Sequence, residues 1–198
     1  MLAESEARLP LKCFDITVRQ VLAAADLEGL SDAEADAAGD EGYLRGNSRY
    51  EDHRGWAWSD VRDALKVEAP LVAQIASATD SAAAESAFDA ARDPEIEGAE
   101  VLWGLDIGVA AAVITLSALG ATPFISCNAS TFGGPHPAAR PYVAFYISGA
   151  DPVALIDLAK AADVGLEAED GVACLYARCV LDLLRFAELA EQRSALAP

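Results

Sequence analysis

The 198-residue sequence predicts an α+β fold. Two tandem αββ units form a four-stranded, mostly antiparallel sheet with helices on one face, preceded by an α-helical N-terminal layer. Three observations carry this reading. The segment Ile107 to Leu119 is apolar on nearly every side yet too short for the roughly 20 residues of a bilayer span, so it is a buried helix. Tyr142 to Ile147 is apolar throughout and rich in strand formers, as a central strand is. From residue 100 onward the elements alternate as helix, strand, strand, helix, strand, strand, helix, an order that favours an antiparallel or mixed sheet.

Taken in order, Thr17 with Gln20 and Ser31 with Glu34 both fit the capping box, in which a hydroxyl and a side chain three residues on satisfy free amides at a helix start. Helices are therefore expected near 18–26 and 32–38. Gly39 and Gly42 end the second, and 43–58 follows with neither helical nor strand periodicity. Helical spacing returns over 60–78, with a break expected at Pro70, and again over 81–92 until Asp93-Pro94 stops it. Pro94 and Gly98 among acidic residues mark a join at 93–99, dividing an acidic helical region, 1–99, from an α/β domain, 100–198.

In the second half Asp106 is placed to cap the helix 107–119, which Gly120 ends. A strand over 122–127, a loop to Pro141 and the strand 142–147 follow. The all-round apolar character of 107–119 requires sheet on one side and the N-terminal helices on the other. Asp151-Pro152 opens the next helix with a cap residue and a proline at the first helical position. A hairpin then turns at Glu169-Asp170-Gly171, and a final helix starts near Val180.

The net charge of −18 sits mostly in residues 1–100, which hold 22 acidic and 9 basic side chains. Phosphate backbones repel such a surface, so direct nucleic-acid binding is not expected. The four cysteines form no C-x-x-C pair, and the charged start of the chain carries no signal peptide; they read as free thiols of a cytoplasmic protein with no membrane segment. The abundance of Ala points to a GC-rich genome. The run from helix 107–119 through Ser126-Cys127, the Gly loop with His136 and the strand Tyr142-Val143-Ala144-Phe145 resembles segments of bacterial proteins, from which no activity is carried over.

Two segments carry chemistry. Cys127, Asn128 and His136 leave the end of a strand together, and a Cys–His pair with an amide nearby is the raw material of a thiolate nucleophile and an oxyanion site. The bland alternative is a structural loop with a small buried cysteine. The arm 43–58 gathers Arg45, Arg49, Arg54, Tyr50, Trp56 and Trp58 in an otherwise acidic, alanine-rich half, the side chains enriched at binding hot spots. Its alternative is internal pairing of the arginines, with the tryptophans as anchors. With two histidines and no ligand spacing, no metal is expected, and with no nucleotide-binding motif, no cofactor. The leading expectation is a binding or regulatory protein that docks a protein partner through the arm and the acidic surface. The rivals are a small Cys127/His136 transferase or hydrolase and an acidic mimic of nucleic acid.

Overall fold

Alternation of side chains along the strands sorts the molecule into layers. In the computed structural model, which describes residues 11–23, 27–78, 80, 82–84, 86–87, 102, 104–132 and 138–196, the elements are β1 (Gln20–Val21), α1 (Asp32–Glu41), α2 (Trp58–Ala76), α3 (Ala110–Ala118), β2 (Thr122–Cys127), β3 (Tyr142–Tyr146), α4 (Pro152–Ala162), β4 (Gly165–Glu169), β5 (Val172–Tyr176) and α5 (Val180–Leu196). The strands form one sheet in the order β1-β4-β5-β3-β2. Val143, Phe145, Leu166, Ala173 and Leu175 face one way and pack against α3, α4 and α5. Ala144, Tyr146 and Val172 face the other way, where Phe124, Ala38 of α1 and Tyr50 cover them.

The α+β class holds, and the four antiparallel strands are those expected, but the sheet has a fifth. The segment 18–26, expected as a helix, contributes β1, which runs parallel to β4 with Gln20 opposite Leu166. Long-range pairing overrides the local capping signal here. The Leu166 N–H donates to the Arg19 carbonyl at 2.7 Å, the Gln20 side chain donates to the Val164 carbonyl at 2.7 Å, and Leu22 is buried in the core. Nor are the helices confined to one face, since α1 and the arm lie on the other.

The capping box at Ser31 is formed with Glu34, although α1 runs past Gly39 and ends at Gly42, whose φ of 65° is the left-handed closure that glycine favours. Helix α2 runs through Pro70 without a break. Pro70 is exposed, so the carbonyl it leaves unpaired meets water. Residues 82–84 and 86–87 are helical, and the join at 93–99 lies outside the described residues.

Helix α3 has sheet on one side and α2 and α5 on the other. Val61, Ala64 and Val72 of α2 meet Ala110, Ala111 and Ile114 of α3 and Leu184 and Ala187 of α5 in a second apolar cluster. Residues from before and after position 100 thus share a core. Asp151 caps α4 by accepting from Val153 N–H at 2.9 Å. The β4–β5 hairpin turns through Asp170 and Gly171, both at positive φ, the two-residue turn whose twist matches the strands. Gly165 is required by contact: a Cβ there would lie 2.1 Å from the ring of Tyr176, the residue opposite it on β5. No helix among the described residues is long and apolar enough to cross a membrane.

The start of α3 corrects one further expectation. Asp106 does not cap it with its side chain; its carbonyl accepts from Val109 N–H in a turn. The free amides are taken by Glu68 of α2, wholly buried, which accepts from Gly108 at 2.6 Å, Ala110 at 3.0 Å and Ala111 at 2.7 Å. A carboxylate from a neighbouring helix satisfies the donors that every helix start leaves open.

Candidate functional site

The arm starts at a tight turn. Leu44 and Asn47 exchange backbone hydrogen bonds at 3.1 and 2.9 Å, with Arg45 at φ 44° and Gly46 at φ 88° between them. This turn points Arg45 at Glu28, with which it pairs at 2.8 Å, and at the Asp170 carbonyl in the β4–β5 turn. Asn47 donates its side-chain amide to the Phe124 carbonyl at 2.6 Å. The register of β2 against β3 shifts between Pro123 and Ile125, so this bond meets a carbonyl at the irregularity of an edge strand.

Most of the arm's candidate residues hold the arm in place. Tyr50 is buried beneath the sheet. Arg54 gathers Asp52 at 2.7 Å, Asp32 at 3.4 Å and Asp36. The Arg54 guanidinium lowers the pKa of Asp52 against the opposing effect of its partial burial. Trp56 donates its backbone N–H to the Ser117 hydroxyl at 3.2 Å, and Trp56 and Trp58 pack half-buried against the α2–α3–α5 cluster.

Arg49 is different. It is exposed, and no carboxylate pairs with it among the described residues. With Glu51 and His53 it borders an open cleft of about 590 Å³, whose other walls are Gly104–Asp106 and Pro123–Ser126 of the edge strand. Glu51 and Asp106 likewise have no ion pair among the described residues. Burial lowers the pKa of His53, against the pull of Glu51 and Asp52, so its ring is neutral near pH 7. The cleft therefore offers one guanidinium fork, two carboxylates, a neutral imidazole and the Ser126 hydroxyl.

Cys127 and Asn128 lie at the end of the same strand and face inward. Cys127 is 9% exposed and its Sγ accepts from Ala129 N–H at 3.3 Å. Burial, with Asp106 nearby adding to it, pushes its thiol pKa up. Asn128 is also buried; it donates to the Ile107 carbonyl at 3.1 Å and accepts from Ser130 N–H at 3.1 Å, tying this loop to the approach of α3. His136 lies outside the described residues. Among those described, no group of three or more His, Cys, Asp or Glu side chains is placed to hold a metal ion.

Sequence reasoning found Arg49 but not the cleft, because Glu51, Asp106 and Ser126 meet it only through the packing of the arm on β2. It also passed over Glu68. The signal was there: Val61, Ala64, Glu68, Val72 and Ile75 recur at helical spacing, and an acid within that stripe must find donors in the core. No protein-family model, curated protein or solved structure matches the chain.

Proposed function

We propose that this is a binding protein without catalysis of its own, which docks a basic, extended segment of a partner protein in the cleft between the arm and the edge strand β2. The observation that carries the reading is the contrast within the arm. Arg45, Arg54, Tyr50, Trp56 and Trp58 are committed to the fold, while Arg49, Glu51 and the facing Asp106 line an open cleft without ion pairs among the described residues. An edge strand offers backbone groups to an added strand, which is how extended peptides are commonly bound. Two carboxylates against one guanidinium, on a chain of net charge −18, favour a basic occupant and speed its approach at low salt. The buried Cys127 thiol, held protonated, supports binding over nucleophilic catalysis.

A phage library of random peptides panned against the full chain tests this. The expected selection is Lys- and Arg-rich peptides whose affinity, read by fluorescence anisotropy, falls about tenfold in Glu51→Lys and again in Asp106→Lys. Asp157→Lys, on the exposed side of α4, serves as control. Failure to enrich basic peptides, or an affinity that ignores both cleft substitutions, would overturn the proposal.

A further inference from the structure

Cys13 and Cys179 are far apart in sequence and adjacent in the fold. Phe14 N–H donates to the Arg178 carbonyl at 2.8 Å, joining the residues next to each cysteine, and Lys12 N–H reaches the Thr131 carbonyl at 3.3 Å on the other side of Cys13. The Phe14–Arg178 bond brings the Cys13 and Cys179 side chains close enough for the Cys13 thiol to oppose ionisation of Cys179. Cys13 is exposed, whereas Cys179 is 6% exposed at the start of α5. We propose that Cys13 and Cys179 form a thiol–disulfide modification site, oxidised by a low-molecular-weight disulfide such as glutathione disulfide, that fastens the N-terminal segment to the start of α5.

The reaction balances in two exchanges. The Cys13 thiolate, its proton lost to water, attacks one sulfur of glutathione disulfide, forming the mixed disulfide and expelling one glutathione thiolate. The Cys179 thiolate then attacks the Cys13 sulfur, breaks the bond to glutathione and expels the second thiolate. Both protein protons end on the two glutathione thiols. The protein dithiol is oxidised by two electrons, and glutathione disulfide is reduced by two.

The order of events follows from the surroundings. Cys13 meets the oxidant because it is exposed. Burial, together with the neighbouring Cys13 thiol, pushes the Cys179 thiol up to about 12, so it is a poor first nucleophile. Once Cys13 is capped by glutathione, its thiol no longer opposes ionisation of Cys179. The Leu181 N–H, near the Cys179 sulfur at the start of α5, then favours the thiolate.

The other two thiols are buried and poorly placed to pair with each other. Cys127 stands opposite Tyr142 and Cys174 opposite Ala144, so β3 runs between them. Two strand spacings amount to roughly 10 Å, beyond the reach of a disulfide.

The test incubates the full chain with glutathione disulfide, quenches with an alkylating agent and maps the peptides by mass spectrometry. The expected result is a Cys13–Cys179 linked peptide, with Cys127 and Cys174 alkylated only after unfolding. Cys13→Ser gives no intramolecular bond. In Cys179→Ser the glutathione adduct persists on Cys13 at about tenfold its wild-type level, since a resolving thiol held at high effective concentration is missing. A lasting adduct on wild-type Cys13, a bond to Cys127 or Cys174, or links only between chains would overturn the proposal. Cys13→Ser alters an exposed position, so with the wild-type map it decides the matter even if Cys179→Ser fails to fold.

Discussion

Two of the contacts by which residues before position 100 meet the sheet and its helices treat charge in opposite ways. At the α2–α3–α5 contact a single carboxylate, Glu68, is wholly buried in an apolar interface and held by three backbone amides. On the other face of the sheet Arg54 sits near the surface among three carboxylates, two of them largely exposed. The first contact places a carboxyl where desolvation opposes its ionisation and aligned donors offset only part of that cost; the second keeps its charges where water already solvates them. The hydrogen bonds of that carboxyl therefore dictate one docking geometry for α3, and charge in the second contact only trims an arm that Tyr50 and the tryptophans already anchor.

The largest expected effect comes from removing the buried carboxylate. Glu68→Ala strands the amides of Gly108, Ala110 and Ala111 and leaves a void between α2 and α3, a loss of about 3–5 kcal/mol in chemical denaturation. A loss under about 1 kcal/mol would mean that water enters and replaces the carboxylate, and the contrast between the two contacts would collapse.

The next effect is a pH dependence. Burial raises the Glu68 pKa from 4.5 to about 7, against the opposing pull of the backbone N–H groups. A folded pKa above the unfolded one means that the native state holds the proton more tightly. The stabilisation is then fully present below pH 4.5 and is lost as pH rises through about 7, at most about 3 kcal/mol. Glu68→Gln cannot titrate. The difference in unfolding free energy between wild type and Glu68→Gln, followed from pH 4 to 8, should shift in this direction; a flat difference would show a carboxyl whose ionisation does not change on folding.

The same contrast explains what the sequence disclosed. Elements that local chemistry decides were legible: the Ser31 box, the Asp151-Pro152 start of α4, the Asp170-Gly171 turn, and the need of an all-apolar α3 for cover on both sides. Elements that distant partners decide were not. Thr17 and Gln20 form a plausible cap on paper, yet the chain there is extended because β4 and Val164 offer hydrogen bonds that no local pattern foretells. Asp106 looked like the cap of α3 because it is adjacent in sequence, and Glu68, on another helix, took the role. In the arm, composition singled out six residues, but whether each pairs inward or faces outward depends on Asp32, Asp36, Glu28 and the edge of β2, so Arg49 could not be separated from Arg54 in advance.

The smallest effect tests the weaker side of the comparison. Arg54→Ala removes hydrogen bonds of 3.0 and 2.7 Å to Asp52 and the pairings with Asp36 and Asp32. Asp32 and Asp36 are largely solvent-exposed, so screening discounts their share, and the expected loss is about 1 kcal/mol, shrinking as salt is raised. The substitution also leaves Asp52, Asp36 and Asp32 as neighbouring like charges, so part of the loss is repulsion and should be recovered in Asp36→Asn/Arg54→Ala. A loss of several kcal/mol that salt does not reduce would place Arg54 in a cooperative network equal in weight to Glu68. The arm would then be as firmly specified as the α2–α3 contact, and its placement of Arg49 at the cleft would depend on Arg54.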